Sequence, residues 1–349
     1  EGTASSVSGI TVVDDYTITF NMAFPTGQFI PAAGRNILPE HILGKIAVEE
    51  LDDNEFFIGL SDVKPIGSGA WKFVKHEPDQ FHELAADDNY FLGRAKIDKV
   101  FVHLIKSPDA TQIAMQRGEI DGSRRGGFTP EVNEAFLADP RFLIAATGRR
   151  NNGGGYSFNF RTDWIRDARI HQAHQWALNR KQLTDTFNGG LGFIHNTVLF
   201  VPTGVETPEM MARYTPEGDT AKARKLLEEA GWDFDRTITE KAPGYSGPIL
   251  IQLAAEQQML ADAGLKVKFE TMETPVWAAV YYENYNYDSV RVGGWGGAVT
   301  SLNYYFHSAN TDAMGYARPE LDALMDAVPR ALTNQELVDI GIKMNDYFI

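Results

Sequence analysis

The sequence has 349 residues, of which 43% are hydrophobic and 23% charged, and its 32 basic and 47 acidic side chains give a formal net charge of −15. This composition is typical of a globular protein and excludes wholesale disorder, and the length suggests about two domains. The acidic balance argues against a non-specific nucleic-acid-binding protein, which needs a basic surface to displace counterions.

Cysteine is absent from the sequence, which excludes disulfides, thiolate catalysis and cysteine-ligated metals. No apolar run approaches the roughly 18 residues that a membrane-spanning helix needs. The first residue is Glu1, and a Ser- and Gly-rich stretch follows it. We therefore expect the chain to begin inside a longer or processed protein.

The first third of the sequence is rich in strand patterns. Apolar and polar residues alternate over Tyr16–Phe20, after a turn at Asp14 and Asp15, and strands are also predicted at Trp71–Val74 and Val100–Leu104. A helix is predicted from Asp109 to Arg117, with Gly118 ending it.

The second half of the sequence alternates between helices and strands. Thr215 and Pro216 predict a helix start, as N-cap and first helical residue, and Gly231 predicts its end. Further predicted elements are helices at Leu253–Ala261, from Thr274 and from Arg318, and strands at Leu265–Glu270 and Tyr287–Val292. The order of these elements implies a parallel crossover unit, so the chain is predicted to be an α/β protein.

A Gly- and Asn-rich segment, Arg149–Gly155, separates the two halves. Its composition is typical of a hinge or a crossing between domains. A plain surface loop is an equally good interpretation of the same residues, so both remain open.

Nine motifs in a fixed order make the chain resemble the family 5 extracytoplasmic solute-binding proteins of ABC importers. The segments that carry the resemblance are Val13–Phe20, Ile37–Leu43, Pro65–Phe73, Asp88–Gly93, Ile97–Val100, Gly118–Asp121, Asn159, Asp167–Arg180 and Tyr214–Trp232. Three residues depart from the family pattern within these segments, namely Ala70, His171 and Asn179.

The resemblance implies an α/β, two-lobed periplasmic binding protein-like fold of type II, similar to cluster C, with mixed sheets flanked by helices and a hinge between the lobes. Residues 1–150 would form part of the first lobe, and residues 151–349 would form the second lobe with the parallel α/β unit. Family members are longer than this chain, so both ends of the mature protein are expected to be missing from it. The segment Ile238–Leu253 is expected to lack most of a strand.

Three motifs that could suggest other chemistry are better explained by structure. Gly67-Ser68-Gly69 is interpreted as a tight turn, because it is not the G-x-S-x-G pattern of a nucleophile elbow. His171 and His174 share a helix face and are interpreted as surface or helix-packing histidines rather than metal ligands. Gly189–Gly192 does not fit a dinucleotide fingerprint, so no dinucleotide cofactor is predicted. Together with the interpretation of the two histidines, this means that neither a cofactor nor a metal is predicted.

An aromatic segment from Tyr281 to Phe306 carries the glycine-rich run Gly293–Gly297, with Trp295 at its centre. Core packing accounts for many of these rings, but a tryptophan on a glycine-rich loop after a strand is a plausible ligand platform. The resemblance implies a role for this loop. In the peptide-binding members of the family the loop borders the ligand, and an Asp three residues after the Trp pairs with the peptide's α-amino group. Ala298 occupies that position and cannot make this contact.

The residues predicted to line the ligand follow from this loop and from the segment near the crossing between halves. They are Trp295 and Tyr304 for stacking, Gly294 and Gly296 through their backbones, Ala298 beside them, Asn303 for hydrogen bonding, and Tyr156 and Asn159 near the crossing. Trp277 and Trp71 are weaker candidates that could also belong to the core.

We therefore expect a periplasmic or otherwise extracytoplasmic solute-binding component of an ABC importer, not an enzyme. It would capture an oligosaccharide or other neutral polar ligand, which the aromatic rings and Ala298 favour modestly, or else an oligopeptide, between two lobes. It would deliver the ligand to the membrane permease, as a monomer that binds no nucleic acid. The alternatives left open are a glycan-active enzyme with paired carboxylates and a ligand sensor or chaperone on the same fold.

Overall fold

A computed structural model describes residues 7–33, 37–58, 64–123, 128–143, 154–188, 192–200, 204–244, 248–293, 299–302, 306–310, 315–316 and 318–348. It divides into two compact units, one formed by Glu1–Ala33 together with Gly127–Ile349 and the other by Gly34–Gly126. The predicted lobes, 1–150 and 151–349, divide the chain differently and remain a prediction for the whole protein. Most of the predicted hinge segment lies outside the described residues.

Nine strands are present in the described ranges. They are β1 (Val7–Asp14), β2 (Thr17–Met22), β3 (Trp71–Glu77), β4 (Phe81–Ala86), β5 (Lys99–His103), β6 (Gly154–Phe158), β7 (Thr237–Pro243), β8 (Lys266–Met272) and β9 (Ser289–Gly293). β1 and β2 form an antiparallel hairpin, β3–β4–β5 form an antiparallel sheet, and the remaining four are ordered β6–β9–β7–β8.

The helices of the same ranges fill the connections between strands. They are α1 (Phe29–Ala33), α2 (Glu40–Leu43), α3 (Glu55–Ile58), α4 (Pro108–Arg117), α5 (Pro130–Ala138), α6 (Ala168–Ala177), α7 (Arg180–Asn188), α8 (Pro208–Ala212), α9 (Thr220–Glu229), α10 (Pro248–Ala263), α11 (Thr274–Ala279), α12 (Pro319–Ala327) and α13 (Asn334–Asn345). Across the described part of the chain, no helix has the length and apolar character needed to cross a bilayer.

The smaller unit, Gly34–Gly126, is built around the β3–β4–β5 sheet. Its helix α4 follows the predicted pattern, because the Ser107 side chain caps the first turn by accepting from the Ala110 amide at 3.3 Å, and Pro108 occupies the first helical position. Gly118 then ends the helix in the left-handed conformation, with φ of 70°.

The larger unit carries the mixed four-stranded sheet. β7 pairs in parallel with both β8 and β9, and β6 runs antiparallel to β9. The parallel crossover predicted from the sequence is therefore confirmed, with α10 linking β7 to β8. One face of this sheet packs on α6, α9 and α10 around residues with no solvent exposure, among them Ala173, Leu227 and Leu260.

A second core in the larger unit lies around α12 and α13. Leu321, Met325 and Met344 are almost completely buried there. Asn345 secures α13 to the preceding chain, because its amide donates to the carbonyls of Leu199 and Val205 at 3.0 Å each. The apolar face predicted for the helix that begins at Pro319 is confirmed, because Leu321, Met325 and Val328 are buried in this core.

Two predictions about elements of this unit are wrong. The helix expected to start at Thr215 begins at Thr220, because the Asp219 side chain accepts from the Lys222 amide at 2.8 Å and so caps the helix there. The strand expected to be largely missing before α10 is present as β7, whose buried residues alternate with more exposed ones.

Candidate functional site

The carboxyl ends of three parallel strands meet at one edge of the four-stranded sheet. β7 ends at Pro243, β8 at Met272 and β9 at Gly293. β6 starts at the same edge, because Gly154 is paired with Gly293. Ligands of open α/β sheets bind outside the carboxyl ends of the strands, so this carboxyl edge is the candidate site.

Most of the predicted ligand residues lie outside the described residues. They are Gly294, Trp295, Gly296, Ala298, Asn303 and Tyr304. The first four follow directly after the end of β9, so the sequence connects them to the carboxyl edge. Their contacts with a ligand stay a prediction.

Tyr156 lies two residues inside the carboxyl edge, where it is paired with Arg291 of β9. Its hydroxyl donates a short hydrogen bond to the carboxylate of Glu256 in α10. The guanidinium of Arg291 lies 4.8 Å from the centre of the tyrosine ring, and the His174 ring meets that ring edge-on with centres 4.3 Å apart. Tyr156 therefore belongs to a polar cluster between the sheet and the helices that cover it.

Arg291 and Glu256 form the ion pair at the centre of this cluster. Nη1 of the arginine lies 2.6 Å from Oε2 of the glutamate, and Nη2 donates to Oε1 at 3.1 Å. Burial favours a higher pKa for Glu256, but the arginine charge and the hydrogen bonds from Arg291, Tyr156 and Gln252 lower it overall. This carboxyl is therefore ionised and compensated by one cation.

Glu240 of β7 lies on the same face of the sheet and is only 1% exposed. Burial raises its pKa to about 8, and the negative charge of Glu256 acts in the same direction, whereas Arg291 opposes the shift. The Ser289 hydroxyl lies 3.4 Å from its Oε2 atom. At neutral pH the Glu240 side chain is therefore mainly uncharged.

His174 of α6 completes the buried cluster and is 3% exposed. Burial lowers its pKa to about 3, so the imidazole is neutral at neutral pH. It packs edge-on against Tyr156 and Phe158, while His171 on the same helix contacts the Ile165 carbonyl. These contacts agree with the interpretation of both histidines as packing residues.

Glu240 and Glu256 could suggest the acid–base pair of the enzyme alternative, because their pKa values are shifted in opposite directions. Their environment argues against that chemistry. The two residues are 1% and 2% exposed, and the carboxylate of Glu256 already accepts from Arg291, Tyr156 and Gln252. A substrate or attacking water would need space that these contacts fill.

Asn159 lies at the opposite end of β6 from the carboxyl edge. Its Nδ2 group donates to the carbonyls of Tyr285 and Tyr287 at 3.0 Å each, and its Oδ1 accepts from the Arg161 amide at 3.2 Å. It lies five positions along the chain from Gly154, which corresponds to about 17 Å along a strand. The structure therefore gives Asn159 a backbone-bracing role, and its predicted contact with a ligand stays untested.

Trp277 lies in α11 and packs on the other face of the sheet. Its ring stacks on that of Tyr281 with centres 5.4 Å apart, in a cluster with Tyr287 and Val290. Trp71 belongs to β3 in the smaller unit, where its Nε1 donates to the Ile97 carbonyl at 3.2 Å. The predicted site residues are thus spread over several parts of the chain. Of those described, Tyr156 lies two residues inside the carboxyl edge and Trp277 lies in the helix that follows the end of β8.

Sequence analysis missed the partners of Tyr156, namely Arg291, Glu256 and Glu240. Arg291 interrupts the apolar pattern of a predicted strand, between Val290 and Val292, which is the one local signal of a buried charge. Its partner lies 35 residues away on a helix. No local pattern links those two positions, so the cluster required the structure.

An α/β unit whose parallel strands end at one candidate ligand edge is common to many proteins that bind small ligands, so the fold alone does not assign a function. The sequence model described as Bacterial extracellular solute-binding proteins, family 5 Middle, matches residues 2–316. The chain belongs to this family. The predicted family and fold class are thereby confirmed, and the family description refers to extracellular proteins.

Two relatives by sequence carry names that describe peptide binding. A protein of Brucella ovis named as an ABC transporter peptide-binding protein is 28% identical over 289 residues, which cover 80% of this chain and 51% of the relative. The oligopeptide-binding protein AppA of Bacillus subtilis is 26% identical over 339 residues, covering 89% of this chain and 59% of AppA. The chain thus spans about half to three fifths of these relatives.

Solved structures share the fold. AppA of Bacillus subtilis in complex with a nonapeptide aligns with a TM-score of 0.79 at 22% identity, over 98% of this chain and 70% of AppA. A periplasmic oligopeptide-binding protein of Thermotoga maritima with bound mannohexaose aligns with a TM-score of 0.76 at 17% identity, over 98% and 69% of the two chains. At these identities the likeness establishes the fold alone.

Proposed function

We propose that this chain is the solute-binding component of an ABC importer, that it captures an oligopeptide at the carboxyl edge, and that it passes the ligand to a membrane permease. The observation that carries the proposal is the convergence of β7, β8, β9 and β6 at one edge, from which the chain continues directly into the loop of Trp295. The peptide-binding names of the Brucella ovis and Bacillus subtilis relatives support a peptide as the ligand class.

The charge balance beside the carboxyl edge favours recognition of neutral groups. Arg291 and Glu256 compensate each other, and Glu240 and His174 are mainly neutral at neutral pH. The cluster therefore has no net charge to offer a ligand. Amides of a peptide backbone could instead bind to backbone N–H and C=O groups near the strand ends, independently of the peptide's sequence.

An oligosaccharide is the second candidate ligand, and one residue favours it. Ala298 stands where peptide-binding members are expected to carry an acidic partner for the peptide's amino terminus. A buried ammonium without a counter-charge is costly, whereas sugar hydroxyls need none. The mannohexaose-bound relative of Thermotoga maritima has the same fold.

A binding screen separates these candidates. We expect a pool of oligopeptides to raise the melting temperature of the chain and to change its tryptophan fluorescence, since a ligand of the folded state stabilises it in proportion to its binding. A response to mannose or glucose oligomers but not to peptides would replace the peptide proposal with the second candidate. Release of shortened glycan products would overturn both, because it would establish an enzyme.

A further inference from the structure

Two histidines face each other across neighbouring strands of the smaller unit. His76 of β3 and His82 of β4 are directly paired in the antiparallel register. Their Nδ1 atoms lie 3.0 Å apart, and their ring centres are 4.4 Å apart with 31° between the ring planes. Both side chains are half-buried, so the pair is supported by the sheet and remains accessible from solvent.

The separation of the two nitrogens matches that of two ligands on one metal ion. Metal–imidazole bonds of 2.0–2.1 Å and nitrogens 3.0 Å apart give an angle at the metal of about 90° to 97°. That angle suits adjacent positions of a tetragonal or octahedral ion better than those of a tetrahedral one. Among divalent ions, Cu²⁺ combines tetragonal geometry with high affinity for nitrogen ligands.

We propose that His76 and His82 form a chelating site for a divalent transition-metal ion, with Cu²⁺ as the best fit, and that water fills the remaining positions. In the apo protein one Nδ1–H donates to the other Nδ1, so at least one of the two nitrogens already presents a lone pair. For both Nδ1 atoms to bind the metal, the ring that carries the Nδ1 proton releases it to solvent and takes up a proton from solvent at Nε2, so both rings stay neutral and each forms one metal–nitrogen bond.

Strand alternation keeps the neighbouring charges away from this pair. Lys75 and Glu77 flank His76 along β3, form an ion pair at 3.0 Å with each other, and point to the opposite face of the sheet. On the histidine face the next paired positions are Phe73 and Leu84. The metal would therefore connect β3 to β4 on a largely apolar face, and the site is independent of the proposed ligand edge in the larger unit.

Titration with Cu²⁺ in a buffer that does not bind copper tests the proposal. We expect one equivalent to bind with an electron paramagnetic resonance signal that shows two imidazole nitrogens. H76Q and H82Q should each weaken this binding at least tenfold. H103Q is the matched control, because His103 lies on β5 in the same sheet and does not belong to the pair; it should bind like the wild type.

Wild-type affinity in H76Q and H82Q, or an equal loss in H103Q, would overturn the site. If a variant fails to fold, carbethoxylation of the wild-type chain mapped by mass spectrometry replaces it. Cu²⁺ should then protect His76 and His82 more than His103, and equal modification with and without Cu²⁺ would contradict the proposal.

Discussion

Arg291 of β9 binds both carboxylate oxygens of Glu256 of α10, with Nη1–Oε2 and Nη2–Oε1 separations of 2.6 and 3.1 Å. This two-point contact ties the helix to the strand two residues before Gly293, where β9 ends. Paired hydrogen bonds of this kind fix orientation as well as distance. The contact therefore sets the position from which the loop of Trp295 starts.

Removal of one partner of this pair should destabilise the protein strongly. In E256A the arginine charge stays buried without compensation, and we expect the free energy of unfolding in urea to fall by about 3 to 5 kcal/mol. The exposed pair of Lys268 and Glu270, 2.8 Å apart, is the matched control. K268A should cost about 0 to 1 kcal/mol.

The double variant R291M/E256L distinguishes a charge effect from a packing effect. If the loss in E256A arises from an unpaired buried charge, replacing both partners by apolar residues should recover much of the stability. If the double variant instead loses as much free energy of unfolding as R291M and E256L lose when their separate losses are added, shape and not charge decides the cost.

Glu240 should make the stability of the protein depend on pH at values above those at which a glutamate side chain ordinarily titrates. Its pKa is raised from 4.5 to about 8, so between these values the folded chain holds a proton that the unfolded chain releases. The resulting stabilisation is fully present below pH 4.5 and is lost as the pH rises through 8.

E240Q tests this relation because the amide copies the neutral carboxyl in shape. We expect the urea midpoints of the variant and the wild type to agree near pH 5, and the variant to be the more stable protein above pH 8. Midpoints that run parallel over this whole range would show that Glu240 does not titrate as the structure indicates.

Two glycines that end helices should respond differently to alanine. Gly264, after α10, has φ of 101° and an added Cβ would lie 2.7 Å from the Phe234 ring, whereas Gly231, after α9, has φ of 68° and open space around that position. G231A should therefore cost about 1 to 2 kcal/mol from the left-handed backbone alone. G264A should cost more in the same urea experiment, and an equal cost would mean that Phe234 moves aside freely.

The sequence predicted those elements whose signals are local. The helix α4 has its cap and its terminating glycine next to it in the chain, and β8 shows a clear alternation of apolar and polar residues. The start of α9 was misplaced because Thr215-Pro216 imitates a helix start, while Asp219 forms the actual cap. A single local motif does not reveal which of two competing caps is used.

The candidate site was predictable only in part. The glycine-rich run predicted a loop directly after the strand at Tyr287–Val292, and the structure agrees, because β9 ends at Gly293. The position of Asn159 at the opposite end of the sheet depends on the antiparallel pairing of β6 with β9, and strand direction cannot be derived from the residues of one strand. The buried ion pair likewise joins two distant positions.

Asn159 should act mainly on stability. N159A removes a buried hydrogen bond to the Tyr287 carbonyl, a partly buried one to the Tyr285 carbonyl and one from the Arg161 amide, so we expect a loss of about 2 to 4 kcal/mol in urea unfolding. N284A is the matched control, because the Asn284 side chain makes one exposed 3.3 Å bond to the Ala279 carbonyl. A variant N159A with unchanged stability and weakened ligand binding would restore Asn159 as a ligand residue.

Trp295 should act mainly on ligand binding. The loop that carries it follows directly from β9, and loss of an aromatic stacking surface typically weakens binding strongly, so W295A should reduce affinity for the ligand found by the screen at least tenfold. W164F is the control, since Trp164 is not a candidate ligand residue and packs edge-on against Trp232 in the core, with ring centres 5.3 Å apart. Isothermal titration calorimetry measures both affinities, and unchanged affinity in W295A would remove this loop from the proposed site.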